Sequence, residues 1–281
     1  MSAEVQRWWL FLAAVSALNL LAWALTAARL WQQRALLDAE TFRARRLQAL
    51  LSAGYVLGCA FRSAYPVQDV PRLCLFDSPL ASVAIGRAVA TVAELCFALQ
   101  GALLLRELGR LAHSRAGAAS AYLLFALIVV AEGFSWTAVL RGWNLGHVVE
   151  ESLWTAAATM MSVAMAIGAR RSSSAALRRL LLAGCAIGLA YIGFMLLVDV
   201  PMYWQRWQAD ETAGHVYRGL LDGLLDAIQR CNVSGLWQHW HSEVPWMSLY
   251  FSVAVWLSIA LIQLPPLRQR VRGGRRQPSR R

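Results

Sequence analysis

Apolar residues fall into seven long runs, at 8–28, 47–65, 80–105, 116–140, 152–169, 180–200 and 246–264, separated by shorter polar segments. A bilayer core of about 30 Å needs roughly 20 apolar helical residues, so each run predicts a membrane span. The pattern describes an all-α protein, a polytopic transmembrane helical bundle of seven spans forming a single domain over residues 1–264. The run at 47–65 is the weakest, because Arg62 near its end must snorkel or find a partner. The first run is longer than the apolar core of a signal peptide, and Arg29 beyond it acts as a stop-transfer signal, so a retained helix is expected.

One connection is long enough to fold by itself. Residues 201–245 lie between the last two runs, and within them Val216, Leu220, Leu224 and Ile228 recur at helical spacing with Arg218, Asp222, Asp226 and Arg230 among the polar positions. This predicts an outer cap loop carrying an extracytoplasmic amphipathic helix before the last span.

Charge fixes an orientation. Arg29, Arg34, Arg43, Arg45 and Arg46 follow the first run, Arg106, Arg110 and Arg115 the third, and Arg170, Arg171, Arg178 and Arg179 the fifth; residues 265–281 add a disordered arginine-rich tail. The alternate connections gather the acids. By the positive-inside rule the N-terminus lies outside and the C-terminus in the cytoplasm. Tryptophans 8, 9, 143, 154, 204, 207, 237, 240 and 246 cluster towards the outer ends, as an interfacial belt would.

Composition agrees: 58% of the 281 residues are hydrophobic and only 15% charged. The net charge of +11 is distributed by loop, which argues against a nucleic-acid partner and leaves the bilayer as the main one, with anionic lipid a candidate partner of the tail. All 27 basic residues are arginine in a chain rich in Ala, Leu and Gly, which suggests a high-GC gene and the inner membrane of a bacterium. With no lysine, retinal cannot be held as a Schiff base. Five scattered cysteines exclude a cysteine zinc motif. Cys74 and Cys231 both fall in outer connections and are candidates for a disulfide, with Cys59 competing for the same partner.

Charges inside a bilayer cost about 2.5–3.5 kcal/mol each on insertion scales, so they call for a partner or a purpose. Arg87, Thr91 and Glu94 share one face of the third span, and Glu132 lies in the outer half of the fourth. His147 is followed at three and four residues by Glu150 and Glu151. Glu94, Glu132, Glu151 and His147 are the candidate catalytic groups, since a pair of carboxylates in different surroundings can divide acid and base roles. Arg62, Arg87, Asp199 and Glu150 are the candidate substrate-binding groups or charge partners. His147, Glu151, His239 and His241 supply the donor types of a zinc or iron site, so a metal ion is a candidate cofactor. His239 and His241 are two apart and precede the last span, which matches no recognised metal motif.

The expected function is a membrane-embedded enzyme whose carboxylate and histidine pocket opens outwards to a lipid-soluble or small polar substrate. A proton-coupled transporter using the same acids is the alternative, against which stands the lack of an internal hydropathy repeat. A membrane sensor or assembly subunit with purely structural ion pairs is the third reading.

Overall fold

The computed structural model describes residues 1–229 and 231–264. Arg230 of the expected amphipathic helix and the whole arginine-rich tail lie outside the described residues. Among the described residues the chain forms nine helices: α1 (Ala3–Gln32), α2 (Ala39–Ala64), α3 (Val83–Leu111), α4 (Arg115–Arg141), α5 (Asn144–Arg171), α6 (Ala175–Thr212), α7 (Leu220–Ile228), α8 (Trp237–Trp240) and α9 (Val244–Ile262). Six of them, α1, α3, α4, α5, α6 and α9, are long and apolar enough to cross a membrane, which marks a multi-pass membrane protein.

Side-chain hydrogen bonds start most of these helices. Ser2, Asp38, Ser82, Ser114 and Ser174 stand at the N-caps of α1 to α4 and α6, each accepting a hydrogen bond from a first-turn amide. Gly142, at φ 68°, ends α4 in the left-handed conformation that glycine adopts without a Cβ clash. The short connections make successive helices antiparallel neighbours, and α9 returns to pack on α1 and α2. On α1 the buried residues Val5, Trp8, Leu12, Ser16 and Asn19 fall at spacings of three and four, a single stripe facing the bundle.

Helix α2, which carries Arg43, Arg45, Arg46 and Arg62, is not among the six apolar helices of membrane length, yet it lies beside α1. Trp9 at the start of α1 donates to the Ala64 carbonyl at the end of α2, and Trp23 donates to Ala49. In the middle, Gln100 of α3 donates to the carbonyls of Gln48 and Ser258, while the Ser258 hydroxyl donates to Gln100 Oε1 at 2.6 Å and lies 3.0 Å from the Ser52 hydroxyl. This knot joins α2, α3 and α9 through polar contacts, which in lipid tie helices that apolar surface alone would not.

One end of the bundle is closed by a three-stranded sheet, β1 (Val67–Gln68), β2 (Leu73–Cys74) and β3 (Asn232–Val233). β1 and β2 are antiparallel, and β3 runs parallel to β2. The Cys74–Cys231 disulfide fastens the last connection to the sheet. Ser2 N–H bonds the Gly235 carbonyl at 2.8 Å, which brings the N-terminus to this same disulfide end. Cys59 is a free, buried thiol in α2.

Three expectations about this end are corrected. Pro201 does not terminate the sixth span; the helix continues to Thr212 through a π-turn at Met195–Asp199, so 201–212 is helix and not loop. The wider turn accommodates a proline that can neither donate to nor pack against the carbonyl four residues back. The amphipathic helix is confined to α7, with Val216 outside it, and its apolar face points away from the bundle. Gly223 and Ala227 are the residues that dock, against the end of α4, while Leu221, Leu225 and Ile228 are exposed. Finally, Trp8 and Trp240 are core residues at 6% and 0% exposure, their rings 5.7 Å apart, and not members of an interfacial belt.

Candidate functional site

Helical spacing alone sets Arg87, Thr91 and Glu94 on one face of α3, and packing turns that face towards α4, α5 and α9. Arg87 Nη2 donates to Glu94 Oε2 at 2.7 Å and to Glu132 Oε2 at 2.9 Å. Its other terminal nitrogen lies 3.6 Å from Glu150 and 3.9 Å from Asp69. Thr91 donates to Glu132 at 2.6 Å, Trp136 donates to Thr91 at 3.0 Å, and Tyr250 of α9 donates to Glu94 Oε1 at 2.9 Å. One guanidinium thus gathers carboxylates from three helices and the β1–β2 turn. Arg62 stands apart from this centre, 4.0 Å from Asp69.

On α5 the site is different in kind. His147 Nδ1 lies 2.8 Å from Glu150 Oε2, one turn along the same helix. The His147 ring lies 4.8 Å from that of Tyr203. Glu151 is only 8% exposed, yet among the described residues its carboxylate makes no hydrogen bond or ion pair. Glu150, Asp199 and Glu94 act on it electrostatically, with Arg87 as the opposing charge. Asp199 is buried in the π-turn of α6, where Glu243 and His147 are among its charged neighbours.

Arg87, Glu94, His147, Glu150 and Glu151 line the polar end of a cavity of about 550 Å³. The rest of its wall is apolar and extends down the bundle, with Leu124 and Ile128 of α4, Met161 and Met165 of α5, and Leu181 of α6 along it, as far as Leu264. Helices α6 and α9 face one another across it and touch through the stacked rings of Phe194 and Trp246. Leu180, Ile187 and Leu249 both line the cavity and are 40–48% exposed, so the chamber opens sideways through this seam.

The metal set expected from the sequence is not brought together. The Ser234 hydroxyl lies 2.7 Å from His239 Nδ1, and the His239 carbonyl accepts from Gln68; His241 is exposed beside the Gln238 carbonyl. Both belong to the closing turn around α8, because spacing in a long connection says nothing about distance to α5. Among the described residues the carboxylates that do approach within metal-ligand range are Glu94, Glu132 and Glu150. Arg87 already occupies their centre, and a guanidinium there opposes a second cation.

Four residues of the site escape sequence reasoning: Tyr250, Tyr203, Trp136 and Arg206. The last pairs with Glu243 at 3.3 Å. Each is a common residue near a span end, and only the helix arrangement makes it a neighbour of the carboxylates. The chain matches no protein-family model, no curated protein and no solved structure, so no relative's activity bears on the site.

Proposed function

We propose that the chain is a seven-span membrane protein, N-terminus outside and C-terminus in the cytoplasm, that binds a lipid-soluble amphiphile and carries out proton-transfer chemistry on its polar head. Support for seven spans is the placement of α2, a helix of 26 residues, beside two apolar helices. Support for the orientation is twofold: a disulfide belongs to an oxidising compartment, and arginines gather in the connections at the opposite end.

The observation that carries the functional reading is the single cavity that joins a buried acid and histidine cluster to an apolar slot open at the α6–α9 seam. A pocket of this shape buries an apolar chain and orients the group attached to it. In this reading Glu94 and Glu132 are positioning groups, engaged by Arg87, Thr91 and Tyr250. The acid–base work passes to His147, held by Glu150 in the way a base is held by an orienting carboxylate. Glu151 is the carboxylate left for the ligand.

The test is a comparison of lipid extracts incubated with purified protein and with His147→Ala, read by untargeted mass spectrometry. A substrate and product pair that changes with the wild type and not with the variant supports the reading. Conversion unaffected by His147→Ala, or no retained amphiphile in either protein, overturns it.

A further inference from the structure

The charges at the polar end of the cavity do not cancel. Arg62, Arg87 and Arg206 are each matched, by Asp69 at 4.0 Å, Glu94 at 2.7 Å and Glu243 at 3.3 Å. Arg87 also holds Glu132 at 2.9 Å and lies 3.6 Å from Glu150, whose other oxygen is 2.8 Å from His147. Two carboxylates remain without a hydrogen bond or ion pair among the described residues, Asp199 and Glu151, both more than nine-tenths buried, and of the two it is Glu151 that lines the cavity. A buried charge without a partner is costly, and the arginines that could supply one are engaged elsewhere. A ligand that carries a cation would give Glu151 the partner that the protein itself does not supply.

Two features choose among cations. Most of the wall is apolar, so a small hydrated ion would leave the slot unfilled, whereas an alkyl chain ending in an amine fills both parts at once. Beside Glu151 the rings of Trp154, one turn on along α5, and of Tyr191 also line the cavity, and Tyr191 is an electrostatic neighbour of the acid, whereas Tyr203 already carries the Arg206 guanidinium over its ring at 5.4 Å. Aromatic faces around a carboxylate are the usual recognition chemistry for an ammonium group.

We infer that the ligand is a long-chain amine, its ammonium paired with Glu151 and its chain in the slot between α6 and α9. This rests on the amphiphile-binding reading above and names the class of head that the site accepts.

The full-length protein in nanodiscs of zwitterionic lipid is titrated with dodecylamine, dodecanol and dodecanoate at equal mole fractions in the bilayer, and binding is read from the melting temperature. Dodecylamine should bind at least tenfold more tightly than dodecanol, and Glu151→Gln should remove that advantage. A cooperative melting transition of the ligand-free variant reports that it is folded. Equal binding of the amine and the alcohol, or an amine preference that survives Glu151→Gln, overturns this inference and leaves the amphiphile reading standing. If none of the three compounds binds, both fail. Stabilisation by sodium chloride alone that is lost in Glu151→Gln assigns the acid to an inorganic cation and also overturns it.

Discussion

Arg87 and Glu94 stand two turns apart on α3 and meet at 2.7 Å, the arginine reaching along its own helix to the carboxylate. The same nitrogen also holds Glu132 of α4, so a pair within one helix becomes the joint between two. Removing the cation leaves buried carboxylates facing one another without compensation. Arg87→Ala should therefore destabilise the bundle by about 3–5 kcal/mol, as breaking a buried pair does. Glu94→Gln should cost clearly less, since Glu132 still neutralises the guanidinium and Tyr250 can still donate to the amide oxygen. Unfolding of both variants in the same detergent measures the difference, and an equal loss would mean that Arg87 is not the centre of the network.

The disulfide joins residues 157 apart in sequence. A cross-link of this kind stabilises mainly by restricting the unfolded chain, commonly by about 2–4 kcal/mol. Cys74→Ser and Cys231→Ser should lower the melting temperature by the same amount, and the double substitution should lower it no further than either alone. Reductant should lower the wild type alone. Melting curves with and without dithiothreitol check all three outcomes.

Gly223 is where α7 approaches α4 most closely, and a Cβ at that position would run into the Leu140 carbonyl. Gly223→Val should cost about 1–3 kcal/mol, the usual scale of overpacking, and should release α7 without disturbing the spans. Hydrogen exchange should rise at 220–228 and stay unchanged in α3 and α4. Protection of α7 that survives the substitution would show that docking does not depend on this contact.

Tyr217 lies in the connection between α6 and α7 and donates to Glu211 at 2.6 Å. Burial, and then the Glu211 carboxylate that would be repelled by a phenolate, push its pKa up to about 12. A raised tyrosine pKa means that the folded protein holds its proton more tightly than the unfolded chain. The stabilisation is present in full below the ordinary value of about 10 and is lost as pH rises towards 12. Subtracting the alkaline absorbance titration of Tyr217→Phe from that of the wild type should give one phenol titrating late, and the connection should become protease-sensitive in the same interval. An ordinary titration for this phenol would contradict the contact.

Much of the architecture is legible from the chain because hydropathy is a local property. Six of the seven expected spans coincide with apolar helices, and the step of three and four residues was enough to align Arg87 with Glu94 and His147 with Glu150. Errors arose where a local signal was overruled at a distance. Pro201 reads as a stop, yet the π-turn before it lets α6 continue. The spacing of the leucines marks α7 as amphipathic, but which residues touch the bundle was not legible: two small residues, Gly223 and Ala227, make the close approach. Gln100 and Tyr250 gave no signal at all, because their importance lies in partners on α9.

Helix α6 is fastened mainly to α5, and its opposite flank meets α9 through one pair of stacked rings. In the amphiphile-binding reading proposed above, a molecule dissolved among the lipid tails would travel sideways into the chamber without first surfacing into water. Its occupancy would follow its abundance within the leaflet, so two compounds of equal aqueous concentration but unequal partitioning would load the protein to different extents.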